Sequence, residues 1–151
     1  MIRVPVILCA CALAAFAVGC GNSGRVSSGA RVTVYVGASL CSAAQRQLRS
    51  AGGAAGDVEV RAVCVPAVVR GGRLDLATVG ADARRATEDS ATVAFVEAGG
   101  SANRFSRPIV EAAGIAWDAA SSGAVAMRRI LHAVAAGGTG ALRESVRDAL
   151  Q

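Results

Sequence analysis

Past residue 30 the chain switches four times between a β-branched run and a longer stretch whose apolar residues recur every three to four positions. That rhythm restricts the fold more than any other feature, because strands alternating with amphipathic helices pack as a parallel sheet covered on both faces. Arg31-Val32-Thr33-Val34-Tyr35-Val36 predicts a first strand, with Gly37 behind it. Ser39 is then placed to cap a helix carrying Leu40, Ala44, Leu48 and Ala51 on one face, which Gly52-Gly53 ends. Over residues 58–65, Val58, Val60, Ala62 and Cys64 alternate with Glu59, Arg61 and Val63 as a second strand closed by Pro66. A glycine-rich link over 70–73 leads to a helix over 74–87 with Leu76, Val79 and Ala83 on one face.

Residues 92–96 form a third strand, apolar on both sides as a buried parallel strand is. Gly99-Gly100-Ser101 opens a helical segment through 113 that Pro108 should bend or shorten and Gly114 should end. Ile115-Ala116-Trp117 is a short fourth strand, and helices over 122–136 and 141–150 complete the chain. The expected fold is therefore α/β, a three-layer Rossmann-like (flavodoxin-like) parallel sheet of about four strands, in one domain over 31–151. Right-handed crossovers then bring the turns after all four strands to one edge.

The five cysteines divide by position. Cys9, Cys11 and Cys20 fall in the first 20 residues, and Cys41 and Cys64 lie in the domain. Cys41 follows the first strand and Cys64 ends the second, so if those strands are neighbours the two thiols meet at one edge. A bridge between them closes a loop of about 23 residues, for which chain entropy gives roughly 3 kcal/mol. Two independent buried thiols are the other reading of the pair. Two cysteines with no ligands nearby make no zinc site.

The amino terminus carries Arg3 and then an almost unbroken apolar run over 4–18, the pattern of an export signal and too short to cross a bilayer well. Ala17-Val18-Gly19-Cys20 closes it and resembles the lipobox of bacterial lipoproteins. The resemblance implies a signal peptide over 1–19, a diacylglyceryl group on Cys20, and a polar spacer over 20–30 that tethers the domain to the extracytoplasmic face of a cell membrane. Two acyl chains hold a protein where one releases it. In such an oxidising compartment Cys41 and Cys64 are free to pair.

All 16 basic residues are arginine, and the net charge is +5. The arginines are scattered, with Arg84-Arg85 and Arg128-Arg129 the adjacent pairs, and aromatics are only 3% of the chain. A nucleic-acid surface needs a basic stripe, usually with stacking aromatics, so nucleic acid is not an expected partner.

The segment Ala83-Arg84-Arg85-Ala86-Thr87-Glu88-Asp89-Ser90-Ala91-Thr92-Val93-Ala94-Phe95-Val96, continued by Ser101 and by Arg107-Pro108-Ile109-Val110-Glu111-Ala112-Ala113-Gly114-Ile115, resembles the first lobe of the type I periplasmic binding proteins. These are the leucine/branched-chain amino-acid binding proteins of ABC importers. The stretch from Gly140 to Leu150 is similar to that family's closing helix. The resemblance implies a single periplasmic-binding-protein-like lobe, without the second lobe that closes over the solute. It also implies that the loops after the third and fourth strands offer amides and hydroxyls to a ligand carboxylate, which carries over to Ser101, Ala102, Ser121 and Ser122. The general rule for open parallel sheets agrees, since ligands bind outside the carboxyl ends of their strands and helix N-termini present free N–H groups. Helix capping is the other role open to Ser101 and Ser121.

No catalytic set is expected. His132 shares a helical face with Arg128 and Arg129 and reads as a surface residue, and it lies well down a helix from Asp118 and Ser121. The run from Gly137 to Gly140 follows a helix rather than a strand, so it fails the context of a phosphate loop. Glu88, Asp89, Glu97 and Glu111 are expected on solvated faces, and Trp117 in the core. No cofactor or metal is implied. The first function expected is a lipid-anchored component of solute binding beside an ABC permease, capturing a small polar, amino-acid-like solute. With one wall of the cleft absent, a partner or a second copy of the chain in a homodimer would supply the other. The alternative is a single-lobe interaction module in the envelope, with a protein partner and no small-molecule ligand.

Overall fold

The computed structural model describes residues 31–137 and 142–151. Cys20, the expected signal peptide over 1–19 and the expected spacer over 20–30 lie outside the described residues. The elements run β1 (Arg31–Gly37), α1 (Ala38–Ser50), β2 (Ala54–Ala55), β3 (Val58–Val65), β4 (Val69–Arg70), β5 (Arg73–Leu74), α2 (Leu76–Glu88), β6 (Thr92–Ala98), α3 (Asn103–Ala112), β7 (Ala116–Ala120), α4 (Gly123–Gly137) and α5 (Leu142–Leu150).

Five strands form the main sheet in the order β2-β3-β1-β6-β7. The pairs β3–β1, β1–β6 and β6–β7 are parallel, in agreement with the alternation in the sequence. The sheet is mixed rather than all parallel, because β2 adds an antiparallel edge to β3 through a turn at Gly56, whose φ is +63°. That conformation suits glycine. A two-residue β2 carries too little pattern to be seen beforehand.

Two apolar layers separate the sheet from its helices. Val32, Val34 and Val36 alternate toward one face, where they meet Leu40 and Leu48 of α1 and Met127, Ile130 and Val134 of α4. Tyr35 and Phe95 point to the other face, with their ring centroids 6.4 Å apart, and pack with Ala83 and Ala86 of α2 and Val110 of α3. The period-two division of β1 is what makes both faces apolar. The architecture is a three-layer α/β/α sandwich compatible with a Rossmann-like fold.

Several local expectations change. Gly37, not Ser39, occupies the N-cap of α1, and no side chain caps it. Residues 69–74 form a small β4–β5 hairpin instead of a plain link. Its tip, Gly71-Gly72, has φ of +55° and +77°, the double positive φ that a tight hairpin turn requires. Asp75 caps α2 by accepting from the Thr78 amide at 3.1 Å and the Thr78 hydroxyl at 2.8 Å. The helix therefore begins at Leu76, two residues later than expected. Pro108 does not end α3, which continues to Ala112. Gly114 then closes it with φ +70°, as the Gly114 and Ile115 amides donate back to Glu111 and Val110, the pattern of a glycine-terminated helix. The fourth strand is longer than Ile115-Ala116-Trp117 and reaches Ala120.

At the amino edge of the sheet, the Arg143 guanidinium of α5 donates to the carbonyls of Thr92 at 2.8 Å, Ser90 at 3.0 Å and Ala113 at 3.4 Å. Burial lowers the pKa of Arg143 from its usual value, while the charge of Asp89 opposes that change. The side chain fixes the last helix against the entries to β6 and β7.

Candidate binding site at the carboxyl edge

The strand order creates the site. From β1 the chain turns to α1 on one face and crosses to β3, whereas from β6 it turns to α3 on the other face and crosses to β7. Where adjacent strands send their connections to opposite faces, the backbone divides and leaves a crevice. Here that point lies between the carboxyl ends of β1 and β6. A cavity of about 330 Å³ opens there, lined by residues 37–39, 65–69 and 97–103 together with Leu74. Its volume falls in the lower range of small-molecule sites.

The two strand ends approach closely. A Cβ built on Gly37 would sit 3.5 Å from the Val96 carbonyl oxygen and 3.6 Å from the Glu97 Cα. These are ordinary van der Waals distances, so the two strand ends pack side by side without a clash at 37. The loop after β6 is held by Asn103, whose side-chain amide, oriented to donate, lies 3.1 Å from the Ala98 carbonyl and 3.3 Å from that of Gly100. Ala102 is buried at the N-cap of α3, and Ser101 beside it is exposed. The first turns of α1 and α3 thus both open on the crevice, and each presents the positive end of a helix.

Of the four residues expected to contact ligand, Ser101 and Ala102 line the crevice. Ser121 and Ser122 stand on the same edge, directly after Ala120, which pairs with Ala98, but they are outside the lining. Ser122 instead caps α4. Its carbonyl accepts from Ala126 at 3.1 Å, and its hydroxyl faces the Val125 amide at 3.5 Å. Gly123 then tucks against the first turn of α1, with its built Cβ only 2.1 Å from the Leu40 carbonyl oxygen.

Glu97 is the residue that the sequence reading placed wrongly. It is buried, not solvated, at 7% exposure. Its Oε2 accepts from the Ser106 hydroxyl and, at 3.1 Å, from Trp117 Nε1. Trp117 is half-buried on β7 and also receives the Arg107 guanidinium 5.1 Å from its ring centroid. Asp82 of α2 is also buried, and its Oδ2 has no hydrogen-bond partner. Burial raises the Asp82 pKa above the usual carboxylate value, Arg85 lowers it, and the charges of Glu97 and Asp75 raise it.

Cys41 and Cys64 are joined in a disulfide, with their Cα atoms 5.6 Å apart. The neighbour relation expected of their strands holds, since Val36 pairs with Cys64 across β1 and β3. The bridge ties the start of α1 to the end of β3, two walls of the crevice. His132 is exposed on α4, as expected.

A second depression, at the β7 edge, is lined by Arg107, Glu111, Trp117, Asp118 and Arg147 among others. Arg107 meets Glu111 at 2.8 Å and Arg147 lies 3.9 Å from Asp148, whereas Asp118 lies 3.8 Å from Arg129 with its buried Oδ2 accepting no hydrogen bond. Among the described residues no three metal-ligating side chains converge, and no helix is long and apolar enough to cross a membrane.

Comparison with protein-family models, curated proteins and solved structures gives no match. The functional reading therefore rests on the residues and on the crevice they form.

Proposed function

We propose that this protein is a lipid-anchored, extracytoplasmic solute-binding component built on a single lobe similar to that of the type I periplasmic binding proteins. It captures a small polar, amino-acid-like solute non-covalently in the crevice between β1 and β6. The observation that carries this reading is the position of Ser101 and Ala102. The two residues that the family resemblance assigns to ligand after the third sequence strand line the cavity at the switch point. In this reading the loop over 99–102 and the first turns of α1 and α3 supply N–H groups to the solute's anionic end, as helix N-termini do for anions. Cys20 carries the acyl chains, and the domain faces away from the cytoplasm beside an ABC permease or another envelope protein.

A lone lobe leaves the solute wet on one side, so affinity is modest unless a second wall is supplied. Calorimetric titration of the folded protein with a panel of amino acids tests the proposal. Heat and thermal stabilisation with at least one member support it, and a panel with no response refutes it. Palmitate labelling of wild type against Cys20→Ala tests the anchor, with label expected only in the wild type.

One observation favours a second reading, an interaction module. The large apolar side chains most exposed among the described residues are Val69, Leu76, Phe105 and Val125. They belong to the β4–β5 hairpin and to the first turns of α2, α3 and α4, all at the carboxyl edge. Apolar groups gathered around one rim suit a protein partner. Light scattering separates the cases, since a homodimer places a second wall over the crevice and a strict monomer leaves the rim to another protein.

A further inference from the structure

We infer that the carboxyl edge of the domain docks on an anionic lipid surface, with Val69, Leu76, Phe105 and Val125 entering the headgroup layer and Arg73 and Arg104 meeting its phosphates. Lipid docking goes beyond solute binding and depends neither on the crevice nor on the acyl anchor.

Two distributions point to that partner. The first is apolar. Among the described residues these four are the large hydrophobic side chains left exposed, at 37% to 56%. All four stand at one end of the molecule, Val69 on the β4–β5 hairpin and the others in the first turns of α2, α3 and α4. Single apolar groups scattered over a surface need no partner, whereas groups collected at one end mark a place of contact. The second distribution is charge. The exposed carboxylates are Asp57, Glu59, Glu88, Glu111, Glu144 and Asp148. The first four stand at the amino edge, where β3 begins and where α2 and α3 end, and the last two are on α5. The carboxyl edge instead exposes Arg73 and Arg104, and neither forms a salt bridge among the described residues. The acids that do stand there are withdrawn: Asp75 is half-buried and accepts from Thr78, and Glu97 is buried against Ser106 and Trp117. The positive ends of the four helices that begin at this edge add to the same sign.

The Arg104 guanidinium lies 4.8 Å from the centroid of the Phe105 ring. An apolar body beside a cationic head suits the boundary between acyl chains and phosphates. The apolar groups sit on four separate elements, so they offer no continuous core of the kind a protein interface packs. Fluid lipid needs none, because it closes around separate tips.

The full chain is tested on vesicles of phosphatidylcholine, alone or mixed with phosphatidylglycerol, whose brominated acyl chains quench any tryptophan that enters the bilayer. Trp117 is the chain's one tryptophan, and the unaltered chain sets the background. A second tryptophan is introduced in turn by Leu76→Trp, by Phe105→Trp and, at the far end of α2, by Glu88→Trp. Positions 76 and 88 are about 18 Å apart along that helix, so the comparison is positional and holds whatever else keeps the chain on the vesicle. All three positions are exposed, and either rim variant decides the point if the other fails to fold. Quenching above background is expected in Leu76→Trp and Phe105→Trp with phosphatidylglycerol present, and background quenching in Glu88→Trp. Arg73→Gln and Arg104→Gln, each combined with Leu76→Trp, are expected to weaken docking about fivefold, the factor of one arginine near an anionic surface. Background quenching in both rim variants, equal quenching in Glu88→Trp, quenching unchanged without phosphatidylglycerol, or no weakening by either arginine substitution overturns the inference. A chain that is dimeric by light scattering and unquenched at the rim assigns that edge to a second copy and overturns it as well. None of these outcomes bears on solute binding, which the calorimetric panel decides.

Discussion

Replacing Gly123 with alanine should loosen the contact between α1 and α4 on which one wall of the domain depends. The added Cβ would lie 2.1 Å from the Leu40 carbonyl oxygen, 2.9 Å from its carbonyl carbon and 3.1 Å from the Ala44 amide nitrogen. Those atoms are helix backbone and cannot turn aside as a long side chain does. The two helices must separate by about 1 Å to reach 3.0 Å, the lower limit of real Cβ contacts. Separation loosens Leu40, Ala44, Ala126 and Met127, all buried in the same cluster. Inserting a methylene into a packed interior costs about 1–3 kcal/mol, and rigid backbone on the opposing side puts this case at the upper end, about 3 kcal/mol. For a domain of this size that lowers Tm by roughly 10 °C. Gly80→Ala is the matched control. Its Cβ meets only the end of the Arg84 side chain at 3.5 Å, in the interior of α2, so it should raise stability by about 0.5–1 kcal/mol. Thermal melts followed by far-UV circular dichroism read both variants. A Gly123→Ala protein melting within about 2 °C of wild type would refute the close α1–α4 contact.

The remaining predictions concern charge, covalent bonding and the last helix. Because burial raises the Asp82 pKa in the folded state, the native protein holds this proton more tightly than the unfolded chain does. Stability from this group is therefore present at low pH and is lost as pH rises from about 4 through the raised folded value. Asp82→Asn should match wild type near pH 4 and exceed it at pH 7 in melts across that range; a constant difference would contradict the assignment. Non-reducing peptide mapping should recover Cys41 bonded to Cys64, and reduction should cost roughly 3 kcal/mol in urea unfolding; free alkylated thiols would refute the bridge. Arg143→Met should lose about 2–3 kcal/mol, since it strips donors from the carbonyls of Ser90, Thr92 and Ala113; an unchanged urea midpoint would show that α5 is held in another way.

Much of the fold was legible because the two periodicities in the sequence differ so clearly. Strands with a β-branched run and helices with apolar positions three to four apart predicted the parallel core, and Cys41 with Cys64 anticipated that β1 and β3 are neighbours. What escaped notice was short or non-local. Two residues in β2 and two each in β4 and β5 offer no period to read, and glycine pairs such as Gly71-Gly72 serve turns and links alike. Ser39 carries a capping side chain, but Gly37 already adopts the N-cap backbone two residues earlier.

Of the candidate site, Ser101 and Ala102 could be placed because the carboxyl edge follows from topology. Glu97 could not, since its partners, Ser106 on α3 and Trp117 on β7, become neighbours only when the strands pair. The available signal was its spacing. Glu97 stands two residues after the buried Phe95, on the same side of a strand that is apolar on both faces.

The central claim, that the crevice between β1 and β6 is where this protein takes up a small solute, can be read directly from backbone amide shifts in NMR as leucine is titrated into isotopically labelled protein. The account predicts saturable shifts at residues 37–39 and 97–103, with little change at the β7 depression lined by Asp118 and Arg147. Shifts centred on that depression, or none at saturating leucine and across the amino-acid panel, would contradict it.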